Sequence, residues 1–241
     1  MNVVTPRVRF NARSHVGLKR KVNEDSVLAL PEHNIWVVSD GMGGHEAGDF
    51  ASRLITDMIA TIAPDLPATD RMHALRHAIQ KAHSVIRAEA DARGVATIGA
   101  TVASLMLANG HFVGIWAGDS RIYRVRDGTI QMLTADHSLV ASLVESGQMT
   151  WDEAEHHPQS NAITRAVGVG DALELDKVRG TAEPGDRFLV CSDGLTKYAT
   201  FKMIEDVMNA EPLETVVDRL IQIALDGGGA DNITVIVVDV T

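Results

Sequence analysis

Hydrophobic positions along this chain recur with two different periods. Between residues 70 and 92, Met72, Leu75, Ile79, Ala82 and Ile86 step by threes and fours, which predicts a helix with one apolar stripe against a core. A shorter helix is expected over 47–62, stopped before Pro64. Elsewhere the apolar runs are short. The run over 35–39 leads into Asp40, Gly41, Met42 and Gly43, the pattern of a buried strand ending in a glycine loop. The middle of the chain reads as strands over 101–108, 112–117, 121–126 and 129–133, separated by Asn109-Gly110, Gly118-Asp119 and Asp127-Gly128. Asn-Gly and Asp-Gly suit tight hairpins because both turn positions need positive φ, so an antiparallel meander is expected here. Further strands are expected over 7–14, 187–192 and 232–240. A short helix is expected over 138–146, then a histidine-rich irregular stretch to Arg165, and two helical segments follow Asp193-Gly194. Helices on either side of antiparallel sheets make a layered α+β fold.

Composition narrows the class. With 241 residues and 45% hydrophobic content, the chain suits one domain over 1–241, and it has no low-complexity stretch, long linker or repeat. Residues 1–10 carry Pro6, Arg7 and Arg9 but no apolar segment, and the longest apolar runs are far too short for a bilayer. A cytoplasmic, monomeric protein away from membranes is expected. The single cysteine, Cys191, excludes an internal disulfide framework and a cysteine-rich zinc site, and its apolar neighbours predict a buried strand thiol. A net charge of −10 matches nucleic acid poorly. Excess acid also arises when carboxylates gather around cations, and their placement decides between the two readings.

Several aspartates share one setting, in which an apolar strand ends and an aspartate beside glycine opens a loop. Ser39-Asp40-Gly41 and Ser192-Asp193-Gly194 follow near-identical runs, Gly118-Asp119 is a variant, and Asp231-Asn232 stands just before a strand. Strand ends fix a side chain's direction while the loop stays open to ligand. Oxygen donors so arranged suit hard cations such as Mg²⁺ and Mn²⁺. Glu24-Asp25 follows Arg20, whose planar fork suits either a surface ion pair or a phosphate. His73 and His77, four residues apart on the polar face of the long helix, lack a third ligand at a suitable offset and read as solvated.

Taken in order, the motifs Gly17 to Asp25, Val38 to Gly44, Gly99-Ala100-Thr101, Gly118-Asp119-Ser120-Arg121, Thr134 to Ser138, Thr164 to Gly168, Ser192-Asp193-Gly194 and Asp231 to Thr234 resemble the type 2C (PPM) family of protein phosphatases, in its short stand-alone bacterial form. The resemblance covers about residues 8–241. It implies a four-layer αββα sandwich, two central antiparallel sheets flanked by helices. It implies hydrolysis of phosphoserine and phosphothreonine on proteins by direct attack of a metal-bridging water, with two Mn²⁺ or Mg²⁺ ions. Asp40 then bridges both ions, the Gly41 carbonyl completes the second, and Asp193 and Asp231 complete the first. Glu24 reaches the second through water, Asp25 orients the attacking water, and Arg20 binds the substrate phosphate. Asp119, with Asp193, corresponds to a third ion site, and 147–165 to a substrate-selecting flap. A cognate serine/threonine kinase is the implied counterpart.

Two alternatives are a phosphoesterase for small-molecule phosphates and an inactive phosphoprotein-binding module; the intact acids disfavour the second. Some relatives carry a histidine directly after the Asp-Gly pair, where this chain has Met42. His45 and a water on a metal ion are the candidates for protonating the leaving oxygen, and that acid is unassigned. Glu153, Glu155, His156 and His157, in the flap, are expected to face solvent or substrate, and Asp136-His137 to pack beside the site as structure.

Overall fold

The computed structural model describes residues 7–43 and 47–241. The chain forms β1 (Val8–His15), β2 (Asp25–Leu30), β3 (Ile35–Met42), α1 (Ala47–Ala60), α2 (Ala68–Arg93), a two-residue β4 (Gly99–Ala100), β5 (Val102–Ala108), β6 (His111–Ala117), β7 (Arg121–Arg126) and β8 (Thr129–Met132). It continues with α3 (Ala141–Glu145), α4 (Trp151–Ala154), β9 (Asp176–Thr181), β10 (Arg187–Cys191), α5 (Asp193–Thr196), α6 (Phe201–Ala210), α7 (Leu213–Asp226) and β11 (Ile233–Val240). One sheet has the order β1-β11-β10-β7-β8 and the other β2-β3-β5-β6-β9, with β4 joined to β3. The pairings are antiparallel throughout.

The two-residue period of a strand builds the layers. Ile35 and Val37 of β3 pack with α1 and α2, whereas Trp36 and Val38 point the other way, into the space between the sheets. On β11, Ile233, Val235 and Val237 meet α6 and α7, while Ile236, Val238 and Val240 face the opposite sheet. A central strand covered on both faces has no polar face to show, so it reads as an unbroken apolar run. Three cores result, one between the sheets and one under each helical layer, which together make the αββα sandwich expected. No helix among the described residues is long and apolar enough to cross a membrane.

The structure departs from expectation in several places. Strands β2 and β9 were not foreseen; both are sheet edges, and β9 is mostly exposed, so neither carries a strong hydrophobic signal. The 118–120 segment is not a hairpin. β6 and β7 belong to different sheets, and Gly118, at φ 110°, lets the chain cross between them. The irregular 147–165 stretch contains α4, started by a capping box in which Thr150 and Glu153 exchange hydrogen bonds. The loop expected at Asp193-Gly194 is instead the first turn of α5. The helix expected over 138–146 is confined to α3, and His73 and His77 are exposed on α2.

Phe188 is fully buried between the sheets and stacks obliquely on Phe112, with ring centroids 5.3 Å apart. Phe188→Ala is expected to lower stability by about 3–5 kcal/mol, measured by urea unfolding. Phe10→Ala, at a partly exposed ring, should cost far less.

Candidate active site

The sheet registers bring the acidic strand ends to one end of the sandwich. His15 lies opposite Ile233, Arg121 opposite Cys191 and Cys191 opposite Val235 in one sheet; Asp25 lies opposite Asp40 in the other. Asp119 follows β6, Asp193 follows β10 and Asp231 precedes β11, so all emerge over the same edge. There they line a cavity of about 280 Å³ with Arg20, Glu24, Asp40, Gly41, Met42, Thr101, Asn161, Ile163 and Lys197. A larger cavity of about 420 Å³ at the other end of the strands, lined by Val8, Arg71, His111 and Val240 among others, has no acid in its wall. His45 lies outside the described residues.

Hydroxyls and amides to which the sequence motifs assigned no role hold these acids in place. Asp40 is clamped through its backbone, its N–H donating to the Thr101 hydroxyl at 2.9 Å and its carbonyl accepting from Thr101 N–H at 2.8 Å. Ser39 donates to the Thr101 carbonyl at 2.7 Å. Asp25 is buried, and its Oδ2 accepts from Ser192 at 2.8 Å and Thr234 at 2.6 Å, so an acid of one sheet is held by hydroxyls of the other. The signal for Ser39 and Ser192 was present in the sequence, since a serine precedes both Asp-Gly pairs. Asn232 donates to the carbonyls of Val16 and Val22 and accepts from Glu24 N–H at 2.7 Å, tying down both ends of the loop that carries Arg20. Gly41 sits so close to α1 that a Cβ would stand 2.1 Å from the Gly48 carbonyl oxygen, which excludes any side chain there.

The charge balance is poor for carboxylates alone. Glu24, Asp40, Asp119, Asp193 and Asp231 share the cavity wall with two cations, Arg20 and Lys197. Arg20, half-exposed, donates to Asp231 at 2.9 Å, and Lys197 is 3.8 Å from Asp193. Burial, followed by the charge of Asp25, drives the Asp40 carboxyl well above its usual range. Burial and then Asp193 do the same to Asp119. Burial lifts Asp25 to about 7 despite the two hydroxyls that favour its ionised form. Like charges directly across a strand pair repel, so Asp25 and Asp40 need a countercharge. Among the described residues, two buried oxygens, Asp25 Oδ1 and Asp193 Oδ1, have no hydrogen-bond partner.

This donor set fits divalent cations of the hard class. Among the described residues the wall offers carboxylate and carbonyl oxygens and no cysteine or histidine, and the room beside it suits ions that keep several waters. Among the described residues no three acids or histidines already meet as a closed ligand cluster; the acids ring the cavity instead. Asp136 and His137 lie just outside it. Asp136 grips Arg121 through both carboxylate oxygens, while His137 Nδ1 accepts from the Gly118 N–H beside Asp119 at 3.0 Å. Glu155 corrects the expectation for its stretch. It is largely buried against Arg121, because a second acid just after α4 can reach that guanidinium, whereas His156 is exposed and His157 half-buried.

Comparison with known proteins places this geometry in context. The chain matches the family described as protein phosphatase 2C over residues 13–234. It is 37% identical over 238 residues to the serine/threonine protein phosphatase PstP of Mycobacterium tuberculosis, covering 98% of this chain and 46% of that protein. The chain thus spans about half the length of that relative. It is 36% identical over 234 residues to the protein phosphatase PhpP of Streptococcus pneumoniae, covering 92% of this chain and 94% of that one. Among solved structures it resembles PppA of Pseudomonas aeruginosa, with TM-score 0.90, 41% identity and coverage of 97% and 98%. The catalytic domain of PstP in complex with two manganese ions matches with TM-score 0.89, 36% identity and coverage of 98% and 100%.

Cys191 is fully buried, and desolvation pushes its thiol up to about 12. The native protein should therefore resist iodoacetamide at pH 8, where the nucleophilic thiolate is almost absent, and label fully in urea. Mass spectrometry after timed alkylation checks this.

Proposed function

This chain belongs to the protein phosphatase 2C family, and we propose that it hydrolyses phosphoserine and phosphothreonine on proteins, using divalent cations held by the acids at the end of the sandwich. The observation that carries this reading is the arrival of Asp40, Asp119, Asp193, Asp231 and Glu24 in one cavity from both sheets. Asp40, Asp193 and Asp231, with the Gly41 carbonyl and Glu24, would hold two Mn²⁺ or Mg²⁺ ions, Asp40 serving both. Asp119 and Asp193 would take a third ion. Bound there, such cations lower the pKa of a water and offset the charge that spreads over the phosphoryl oxygens.

The chain's own groups supply orientation. With Oδ2 fixed by Ser192 and Thr234, and Oδ1 without a hydrogen-bond partner among the described residues, Asp25 would orient the attacking water. Arg20 stands at the mouth, half-exposed and tethered to Asp231, where its guanidinium can grip the phosphate dianion. The 147–165 segment is the flap that selects protein substrates, with Asn161 at the cavity wall. Its substrates are phosphoproteins of the cytoplasm, its counterpart a serine/threonine kinase, and it works as a monomer.

With Mn²⁺, the protein should hydrolyse an aryl phosphate and a phosphothreonine peptide, and prefer the peptide to free nucleotides. Chelator should abolish the rate. Asp193→Asn should lower it by about 100-fold or more, since even the outer partners of a bound metal are worth 10–100-fold. Equal rates under all three conditions would sink the assignment.

Arg20→Ala should raise KM for the phosphopeptide by about 10- to 100-fold, the worth of one charge-assisted hydrogen bond, and change kcat less. Steady-state kinetics at saturating Mn²⁺ separate the two constants.

A further inference from the structure

Beneath the 147–165 segment lies a buried ionic cluster for which the proposed chemistry has no use. Arg121, on β7 two residues after Asp119, is 5% exposed. Asp136 holds it through three contacts, from Nε to both carboxylate oxygens at 2.9 and 3.1 Å and from Nη2 at 2.6 Å. Nη1 donates to the Tyr123 hydroxyl at 3.3 Å, and the Trp151 ring of α4 covers the guanidinium at 5.1 Å. The same Nη2 that serves Asp136 is also 2.7 Å from Oε1 of Glu155, which directly follows α4. That second contact lacks hydrogen-bond alignment, and Glu155 Oε1 is buried with no hydrogen-bond partner among the described residues.

The two acids are therefore unequal. Asp136 neutralises Arg121 with matched, fork-to-fork geometry, the strong form of this pair. Glu155 is surplus: two carboxylates face one guanidinium, and Asp119 and Asp193 line the same narrow cleft. A buried carboxylate with an already committed partner recovers little of its desolvation cost. The attachment holds α4 down while remaining easy to release. Asp152, also on α4, accepts from the Phe201 N–H at 3.1 Å, which gives the segment a second footing on α6. Beyond Glu155 along the chain, Asn161 and Ile163 form part of the proposed catalytic cavity wall.

We propose that Glu155 is a positioning residue, a releasable latch on Arg121 that sets the height of the 147–163 segment over the cavity and thereby tunes selection of protein substrates. It touches neither phosphate nor the reacting water. The substrate-selection half rests on the phosphatase reading, but the latch itself does not. Because Trp151 shares the guanidinium, α4 is held by one ionic and one aromatic contact to a single side chain, so losing the ionic one loosens the segment without removing it.

The test is Glu155→Ala, with Glu155→Gln as the shape-conserving control, read by hydrogen–deuterium exchange and by kinetics on two substrates. Glu155→Ala should speed exchange in peptides covering 147–163 by more than about tenfold while leaving β11 unchanged. KM for a phosphothreonine protein should rise several-fold, with aryl phosphate kinetics within about twofold of the parent, because a small ester does not need the flap. Glu155→Gln should fall between the two. Unchanged exchange in 147–163 overturns the latch, as does exchange that rises equally in β11, or equal losses on both substrates. Faster flap exchange in a protein without phosphatase activity on any substrate would leave the latch standing and remove the function.

Discussion

The organisation of the molecule follows from one electrostatic constraint. Carboxylates from both sheets are forced together at one end of the sandwich, where burial already disfavours their charged forms. Asp25 and Asp40 face each other across a strand pair, and Asp25 is also tied to Ser192 and Thr234 of the opposite sheet. No arrangement of the two nearby cations, Arg20 and Lys197, balances the acids around them. The fold must therefore overdetermine their positions, and it does so with backbone clamps at Asp40, hydroxyls on Asp25 and the amide of Asn232 on the Arg20 loop. A buried acid cluster that costs stability and is held so firmly is the pattern of a site built for a ligand of opposite charge.

Much of this was legible from the amino-acid sequence, for identifiable reasons. The long stripe of α2 and the unbroken runs of β3, β10 and β11 stand out because their apolar faces meet large cores. The acids stand out because strand ends beside glycine repeat. What could not be read lies where local pattern and tertiary role part company. Edge strands β2 and β9 bury too little to show a period. Gly118-Asp119 has hairpin chemistry, yet the chain uses it to change sheets, since β7 finds its partner in β10, some 65 residues away. Thr101, Thr234 and Asn232 stand inside the motifs, but their contacts with the acids appear only in three dimensions. Glu155 is likewise indistinguishable from its exposed neighbour Glu153 until Arg121 is seen beneath it.

The two halves of the ionic architecture differ in kind. Around the cavity, anions outnumber cations and wait on an external charge. Around Arg121 the imbalance is internal, with one guanidinium shared by two acids of unequal grip. The first arrangement favours binding, and the second favours movement. Their closeness, with Asp119 and Arg121 separated by one serine, places the 147–163 segment next to the cavity acids without giving them a common side chain.

The pairing of β1 with β11 over eight residues has a consequence for how the molecule comes into being. On the ribosome β1 emerges long before β11 and must wait for that distant strand before its neighbour exists. Asp231 and Asn232, just ahead of β11, arrive with it. A nascent chain therefore carries most of its acids before it can assemble them, and the β1–β11 pair and the last wall of the acidic cavity arise together once β11 is made.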